Sequence, residues 1–411
     1  MIADKARSSR STGDKTFPQR SWWLPTIWAG CDFSAWLRLI FRNRLQIYWL
    51  YLHIAVYVTI VTFFHTLLRG VQSLIYGRKV EQTPIREAPI FIIGHWRTGT
   101  TLLHELMALD ERHAFPTTYQ CMEPNHFLLS ENLFTRWLPF FAPKQRPMDN
   151  MAAGFSRPQE DEFALCMLGL PSPYLTIAFP NRPAQFDESL DLEGLSPRAL
   201  AAWKRTFLRF LKEMTFKHGK RLILKSPTHS CRIKVLLEMF PDARFVHIVR
   251  DPYVVFPSTV NLWKSLYREF SLQRPTFAGL EERVLENFVR LYEKIDEGKT
   301  LVDFDRFYEL HYEDLVRDPT GQLGALYDHL GLGEFEKLQP KLQKFLADHK
   351  GYETNRYRLS DEDLAKINAQ WGEVIRAYGY ESRPQRPDSA TKVDLTKSSL
   401  SVTPSPGPSS T

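Results

Sequence analysis

Short runs of β-branched and aromatic residues alternate along the central part of the chain with longer segments whose apolar residues recur at helical spacing. Residues 89–93 and 243–249 have the composition of buried strands, and a third apolar run, 222–224, leads directly into a lysine. Between Pro197 and His218 the apolar residues form one helical stripe, which is typical of a helix that covers a core. This alternation predicts an α/β fold with three layers, α/β/α, around a central parallel sheet.

A longer apolar stretch, from Ile47 to Phe64, precedes the first predicted strand. It approaches the ~17–25 residues of a spanning helix, but it contains His53 near its middle and is followed by His65. Both flanks carry arginine, and the basic region before the stretch is too long for a cleavable signal. Residues 47–68 therefore have three interpretations: a membrane span, a helix lying on a membrane, or a helix packed on the protein. We favour packing or peripheral attachment.

Composition divides the chain into three parts. The 411 residues are 43% hydrophobic and 13% aromatic, which suffices for a sizeable core. We predict a basic arm and N-terminal helical extension over residues 1–88, an α/β domain over 89–381, and a disordered Ser-, Pro- and Thr-rich tail over 382–411. The net charge is +6, and residues 1–46 hold eight Lys or Arg against three Asp. This arm favours anionic surfaces.

The most informative motif is the loop Gly94–Thr101, which has the frame G-x-x-x-x-G-T-T between the first strand and a helical pattern. Gly94 and Gly99 permit backbone torsions that turn successive amides toward one point, and the helix that follows adds its unpaired amides. The motif predicts a P-loop-NTPase-like fold with an anionic ligand at this loop. Thr100 stands where a kinase or NTPase places lysine, which argues against phosphoryl transfer from ATP. Arg97 supplies a cation inside the loop instead.

A second anion site is predicted where the strand at 243–249 ends. Arg250 follows this strand directly, and Ser258 comes eight residues later on the next predicted helix. Ligands bind at the carboxyl ends of strands in open α/β sheets, so Arg250 and Ser258 are suited to hold a phosphate. The alternative interpretation is a surface ion pair between Arg250 and Asp251, with Ser258 as a polar residue of the helix that has no ligand.

The two segments together resemble the sulfotransferase superfamily that uses 3'-phosphoadenosine 5'-phosphosulfate (PAPS). In that family an R-S-G-T-T or K-S-G-T-T loop holds the 5'-phosphosulfate, and an Arg–Ser pair holds the 3'-phosphate. Thr98 replaces the usual serine here and keeps its hydroxyl. Lys225 is similar to a lysine of tyrosylprotein sulfotransferases that contacts the transferring group. Tyr312 lies in a segment similar to the family's H-Y-E-x-L. The resemblance implies these PAPS-binding residues: Arg97, Thr98, Gly99, Thr100, Thr101, Arg250, Ser258 and Tyr312.

The implied reaction moves a sulfuryl group from PAPS to an acceptor and releases adenosine 3',5'-bisphosphate. Positioning and charge stabilisation dominate such transfers, and Arg97 and Lys225 are the natural stabilising cations. The donor has no γ-phosphate to bridge, so the chemistry requires no metal. The sequence contains no C-x-x-C or H-E-x-x-H motif, and its twelve histidines form no ligand-spaced cluster.

An acceptor hydroxyl or amine benefits from a general base, and the sequence offers three candidates. Glu160 and Glu162 lie in an acidic run just before a helical pattern, and the family's local pattern looks similar around them. Acidic residues in a first helical turn are also ordinary partners of the helix dipole. His229 is the rival candidate, because cytosolic sulfotransferases place a histidine shortly after the equivalent lysine. In this chain His229 lies two positions later than the histidine of the cytosolic sulfotransferases.

The acceptor class stays open among a small molecule, a carbohydrate and a lipid. Aromatic residues over 127–141 are suited either to line an acceptor site or to pack in the core. A nucleic-acid-binding protein would use the basic arm but would not need the three cations at the predicted donor site, so no nucleic-acid partner is expected. There is no Asn-x-Ser/Thr sequon, and four cysteines are scattered without a disulfide framework. These features favour a cytoplasmic protein associated with a membrane through residues 47–68. The sequence does not indicate an oligomeric state.

Overall fold

The computed structural model describes residues 26–137, 154–183, 185, 187–349 and 357–384. The predictions for the basic arm before residue 26, for the tail after residue 384 and for aromatic positions 138–141 lie outside the described residues. The described helices are α1 Phe33–Arg42, α2 Leu52–Glu81, α3 Thr100–Met107, α4 Thr118–Met122, α5 Phe127–Trp137, α6 Asp161–Met167, α7 Pro197–His218, α8 Ile233–Met239, α9 Pro252–Phe270, α10 Leu280–Lys299, α11 Tyr312–Arg317, α12 Pro319–His329, α13 Phe335–Asp348 and α14 Asp361–Ala377. The described strands are β1 Ile90–Ile93, β2 His113–Ala114, β3 Arg221–Lys225, β4 Arg244–Val249 and β5 Phe307–His311.

The five strands form one parallel sheet in the order β2-β3-β1-β4-β5. The first strand after the N-terminal extension is therefore central, with β3 on one side and β4 on the other. Ile92 pairs with Lys225 and with Val246, which aligns the carboxyl ends of the three strands. All three strands coincide with the apolar runs identified in the sequence. The predicted α/β class with a central parallel sheet is confirmed.

Side chains of β1 alternate between two apolar layers, because successive residues of a strand point to opposite faces. Ile90 and Ile92 face a layer built from α3, α11, α12 and α13. Phe91 and Ile93 face the larger layer, which includes α7, α10 and α14. The ring of Phe91 stacks on Phe245 of β4 at 5.5 Å in this layer. Full burial of such a side chain contributes about 1.5–3 kcal/mol, so the continuous apolar strands fix the sheet between its helices.

Helix α7 has the bounds that the apolar stripe indicated. Ser196 caps its first turn by accepting a hydrogen bond from the Ala199 amide, and Pro197 occupies the first helical position. Gly219 ends it in the left-handed conformation at φ 63°. Trp203 and Phe207 are completely buried, so the stripe is core, as expected.

Helix α2 places its two faces in different surroundings. One face packs against α1 and α7 and buries residues such as Ala55, Val58 and Thr62. The opposite face exposes a continuous row of large apolar side chains, and it includes Leu52, Val56, Ile60, Phe63, Phe64, Leu67, Val71, Leu74 and Ile75. Trp49–Glu81 is the one helix in the described part of the chain that is long and apolar enough to cross a membrane, and 22% of its apolar window is buried.

Helix α2 continues to Glu81, beyond the apolar run 47–68, and polar contacts hold this second part on the domain. Arg69 Nη1 lies 2.8 Å from the carboxylate of Asp32, the N-cap of α1. Gln72 Oε1 accepts a hydrogen bond of 2.9 Å from the Leu128 amide. At the end of the helix, Lys212 of α7 donates to Glu81. These bonds hold the last three turns of α2 on the surface of the α/β domain.

Candidate active site

The four sequence motifs meet at the carboxyl edge of the sheet. The loop 94–99 follows β1, Lys225 ends β3, Arg250 follows β4, and Tyr312 begins the helix after β5. Because the strands are parallel and adjacent, segments that are more than two hundred residues apart in the chain lie side by side. This is the edge at which open α/β sheets bind ligands.

The loop after β1 depends on its two glycines. Gly94 has φ 146° and Gly99 has φ 106°, a region in which side chains with a Cβ are strained. A Cβ on Gly99 would lie 2.3 Å from Cδ2 of Tyr312. Gly99 is also the N-cap of α3, and no side chain caps this helix. The amides of the first turn, which have no partner within the helix, are therefore available to an anionic ligand.

Gly99→Ala is expected to weaken binding of adenosine 3',5'-bisphosphate by at least about tenfold and to cost about 1–3 kcal/mol of stability, because both φ and the contact with Tyr312 oppose a methyl group. Isothermal calorimetry and urea unfolding measure the two effects. Gly219→Ala is the matched control, since Gly219 also has a positive φ but nothing lies within 4 Å of its Cβ position. Equal nucleotide affinity in Gly99→Ala and wild type would contradict the role of this loop.

Arg97 connects the loop to the second predicted anion site. Its backbone has φ 72°, unusual for a residue other than glycine, and its Nε donates a 2.9 Å hydrogen bond to Ser258 Oγ on α9. Arg250 Nη1 donates to the Arg97 carbonyl at 3.2 Å. The Arg250 guanidinium lies 4.0 Å from the ring centre of Tyr312, which fixes it by a cation–π contact. The two predicted anion sites are thus contiguous.

Thr98 and Thr101 have different surroundings, although both belong to the predicted loop motif. Thr98 is completely buried, and both its amide and its hydroxyl donate to the His95 carbonyl, at 3.2 and 2.8 Å. Its hydroxyl therefore bonds within the loop, and the contact with PAPS that the resemblance implies stays a prediction. The Thr101 hydroxyl accepts a bond of 3.4 Å from Lys225 Nζ. Thr100, at the start of α3, is buried beside Gly94.

His95 lies beneath the loop and is completely buried. Burial lowers the pKa of its imidazole to about 4, despite a hydrogen bond to the Trp96 carbonyl that favours the charged form. The ring is therefore neutral at physiological pH, and Nδ1 donates to that carbonyl. The cationic groups that face a ligand at this edge are provided by arginine and lysine rather than by this histidine.

Lys225 and Glu160 form an ion pair beside the loop. Lys225 Nζ is 2.7 Å from Glu160 Oε1, and the lysine side chain is only 1% exposed. The other carboxylate oxygen, Oε2, accepts a 2.5 Å hydrogen bond from the Tyr174 hydroxyl. That hydroxyl accepts in turn from Trp96 Nε1 at 2.9 Å. Burial and the neighbouring Glu160 carboxylate raise the pKa of Tyr174 well above its usual value, so it stays protonated and donates.

Glu162 has a structural environment instead of the expected catalytic one. Its carboxylate is completely buried and pairs with Arg232, with Nη1 to Oε2 at 2.5 Å and Nη2 to Oε1 at 3.2 Å. Ser172 and Thr228 donate to the same two oxygens, at 2.6 and 2.9 Å. These donors occupy both carboxylate oxygens, and the side chain has no solvent access for an acceptor hydroxyl, so the geometry does not support Glu162 as the base.

His229 is also held in a buried pair. Its Nε2 lies 2.6 Å from Asp161 Oδ2, and both side chains are completely buried. Burial would raise the pKa of Asp161, but the imidazole and the Ser226 hydroxyl outweigh it and keep the pKa below its usual value. The ring of His229 packs against Phe91 and Phe207 of the core. These contacts favour a positioning role, so among the three expected bases only Glu160 contacts a predicted catalytic residue.

Sequence reasoning missed the partners that separate these roles. Tyr174 and Arg232 lie in segments that carry no recognisable motif, and Asp161 lies in the acidic run but was not singled out. Asp161 stands between the two candidate glutamates, and the helical geometry of α6 turns successive side chains by about 100°. That rotation was the one available signal that three adjacent acids would point to different partners.

Comparisons with known proteins identify the family. Residues 89–337, which contain all four motifs, match the model of the sulfotransferase family. The chain is 54% identical over 365 residues to the omega-hydroxy-beta-dihydromenaquinone-9 sulfotransferase Stf3 of Mycobacterium bovis, a match that covers 89% of this chain and 94% of the relative.

Two solved structures share the fold. Sulfotransferase STF9 from Mycobacterium avium superposes with a TM-score of 0.61 at 21% identity, covering 79% of this chain and 86% of the other. Sulfotransferase STF1 from Mycobacterium tuberculosis gives a TM-score of 0.52 at 18% identity, covering 84% and 90%. The resemblance that the motifs indicated is confirmed. The chain belongs to the sulfotransferase family, whose general sulfuryl donor is PAPS, and it is an enzyme that transfers sulfuryl groups.

Proposed function

We propose that the protein transfers the sulfuryl group of PAPS to the hydroxyl of a quinone-type isoprenoid lipid at the cytoplasmic surface of a membrane. The observation that carries this proposal is the 54% identity, over 89% of the chain, to a protein named as a sulfotransferase of a hydroxylated menaquinone. A carbohydrate acceptor is less well supported, because carbohydrate sulfotransferase 5 of Mus musculus is only 23% identical.

The donor site is the carboxyl edge of the sheet. The amides of Gly99, Thr100 and Thr101 at the start of α3 would hold the 5'-phosphosulfate, together with the Arg97 guanidinium. Arg250 and Ser258 would hold the 3'-phosphate. Two observations support this division: Arg97 and Ser258 are already hydrogen bonded at 2.9 Å, and Tyr312 packs on both Gly99 and Arg250. Thr98 shapes the loop.

Lys225 and Glu160 are the proposed catalytic pair. In the structure they neutralise each other at 2.7 Å, which is the resting arrangement. When the donor binds, Lys225 exchanges the carboxylate for the sulfuryl oxygens, where it stabilises charge during the transfer. Glu160 is then free to take the proton of the acceptor hydroxyl as its oxygen bonds to sulfur and the bond from sulfur to the phosphate oxygen breaks. Tyr174 keeps the carboxylate oriented by its hydrogen bond to Oε2.

The exposed face of α2 fits a lipid bilayer. Its large apolar side chains form one row along the helix, and exposed basic residues lie at both ends, Arg44 before it and Arg78 and Lys79 in its last turn. An apolar face bordered by cations is the pattern of a helix that lies in the interface of an anionic membrane. We therefore assign residues 47–68 a peripheral attachment, with one face buried on the protein.

A cavity of about 350 Å³ lies between α1 and the segment that follows α6. Leu39, Leu170 and Leu175 contribute to its lining, as do Arg38 and Arg42. Glu160 is the N-cap of α6, so this apolar space and the proposed base lie at opposite ends of one short helix. An isoprenoid chain is the part of the proposed acceptor that such a lining suits.

The four cysteines are all free and buried, as expected of a cytoplasmic protein.

The acceptor is tested by supplying radiolabelled PAPS and pure protein with two substrates in parallel. One is a menaquinol with a terminal hydroxyl in anionic vesicles, and the other is a soluble oligosaccharide. We expect the label in the lipid phase only. Label in the oligosaccharide alone would overturn the lipid acceptor but leave the sulfotransferase activity intact.

The double substitution Ile60→Glu and Leu67→Glu is expected to lower partitioning onto anionic vesicles by about 10²–10⁴-fold, because two exposed apolar side chains each lose roughly 1.5–3 kcal/mol of burial. Cosedimentation measures this loss. Sulfation of a short, soluble acceptor analogue should stay unchanged. Leu301→Glu is the control, since Leu301 is equally exposed at 52% but lies outside α2. Undiminished vesicle binding by the double variant would exclude this face as the attachment surface.

A further inference from the structure

A cluster of three metal-binding residue types lies apart from the residues of the donor site. His65 is on the domain-facing side of α2, Glu123 follows α4 directly, and His126 stands just before α5. Their ligand atoms, two imidazole nitrogens and one carboxylate oxygen, all lie within 4.8 Å of one another. Within the described residues this is the one such group of three. The sequence did not show it, because 58 residues separate His65 from Glu123.

The distances match a metal coordination shell. His65 Nδ1 lies 3.0 Å and His126 Nε2 lies 3.4 Å from Glu123 Oε2. Two ligands of a tetrahedral zinc ion, each ~2.0–2.1 Å from the metal, are separated by about 3.3 Å. All three atoms are buried from solvent, and none of the contacts between them has the geometry of a hydrogen bond. Buried polar atoms without a hydrogen bond are costly, and a shared cation would satisfy all three at once.

A hydrogen-bond chain fixes the tautomer of His126. The Ser130 hydroxyl donates its only proton to the His126 carbonyl at 3.0 Å. Its oxygen accepts from the Tyr119 hydroxyl at 2.8 Å, and it lies 2.8 Å from His126 Nδ1. With the Ser130 proton directed to this carbonyl, Nδ1 donates to Ser130, which leaves the lone pair on Nε2, the atom that points into the cluster. Metal-binding histidines are held in this way by an acceptor on the second nitrogen.

The charges of the cluster also suit a divalent cation. Glu123 makes no ion pair with a lysine or arginine of the described residues, and its partners are the two imidazoles. Histidines bind a metal in their neutral form, so two of them with one carboxylate contribute a single negative charge. A divalent metal with a water or hydroxide in its fourth position would compensate this charge.

We propose that His65, Glu123 and His126 bind one divalent transition-metal ion, for which zinc best matches two nitrogen ligands and one oxygen ligand. The ion joins α2 to the connection between α4 and α5, and it holds the helix with the exposed apolar face in a fixed position on the domain. The proposal does not depend on the identity of the acceptor. It also gives a reason for His65 within the apolar part of α2.

The full-length protein is tested by three measurements that do not use activity. After dialysis against trace Zn²⁺, elemental analysis should find about one bound metal ion per chain. Co²⁺ added to metal-free protein should give the visible bands of tetrahedral cobalt. The Tm should rise with free Zn²⁺ and fall in EDTA, as for any ligand that binds only the folded state.

Two variants locate the ion. Glu123→Gln and His126→Ala should each lose the bound metal and the dependence of Tm on Zn²⁺. His113→Ala should keep both, because His113 also lies near a carboxylate, 3.4 Å from Asp110, but belongs to a pair and not to the cluster. Wild-type protein that takes up no metal, shows no cobalt bands and has the same Tm in Zn²⁺ and EDTA would overturn the proposal. So would variants that bind as much metal as wild type.

Discussion

Lys225→Met is expected to lower kcat by about 10²–10³-fold, the usual loss when one preorganised donor is removed from a transition state that develops charge. Methionine keeps the length and apolar stem of the side chain, which is 99% buried, and removes only the ammonium group. Affinity for adenosine 3',5'-bisphosphate should change little, because this product lacks the sulfuryl group that Lys225 is proposed to contact. Single-turnover kinetics and calorimetry separate the two quantities.

Lys217→Met is the control for this experiment. Lys217 also pairs with a partly buried glutamate, Glu131, but on α7 and α5 and away from the carboxyl edge of the sheet. The Lys217→Met variant should lose some stability and retain the kcat of wild type. If Lys225→Met kept the turnover of wild type while folding normally, the lysine would be only the structural partner of Glu160.

The parts of the fold that the sequence predicted are those specified by local pattern. The strand β1 and the helix α7 were recognisable because the first is continuously apolar and the second has a single stripe between a serine cap and a glycine. That the four motifs meet could be predicted for a related reason. Each motif lies at the end of a strand or directly after one, and parallel topology alone brings these strand ends together.

What could not be predicted depends on contacts between segments without motifs. Nothing near Tyr174 in the sequence indicates that its hydroxyl bonds to Glu160, fourteen residues earlier. The partner of Glu162 is Arg232, seventy residues later, and it was hidden for the same reason. Helix α2 shows a further limit: it is apolar on both faces, so the sequence pattern could not tell which side the domain covers.

The acidic run at residues 160–162 shows how one local pattern divides into three roles. Glu160 precedes α6 and faces Lys225, whereas Asp161 and Glu162 begin the helix and turn into the core. Asp161 meets His229 and Glu162 meets Arg232, so each acid has a different basic partner. Only the residue outside the helix keeps some exposure, 15% of its side chain, and this access is what a base for an external acceptor requires.

Glu160→Gln is therefore expected to lower kcat by about 10²–10⁴-fold, the range that a positioned base contributes. Glutamine preserves the size of the side chain and can still accept from Tyr174, so the KM for PAPS should stay within a few-fold of wild type. Some loss of Tm is expected as well, because the Lys225 ammonium, which is 1% exposed, loses its counter-charge. The deficit should lie in the chemical step, which a rapid-quench measurement of the first turnover reports directly.

Glu162→Gln is the matched control, because it removes the same charge two residues away. Here the expected loss is in stability, about 3–5 kcal/mol, since Arg232 would be left buried without its counter-charge. Activity per folded molecule should remain close to that of wild type. The opposite pattern, with turnover lost in Glu162→Gln and retained in Glu160→Gln, would move the base from the exposed carboxylate to the buried one. It would also contradict the assignment made from their hydrogen bonds.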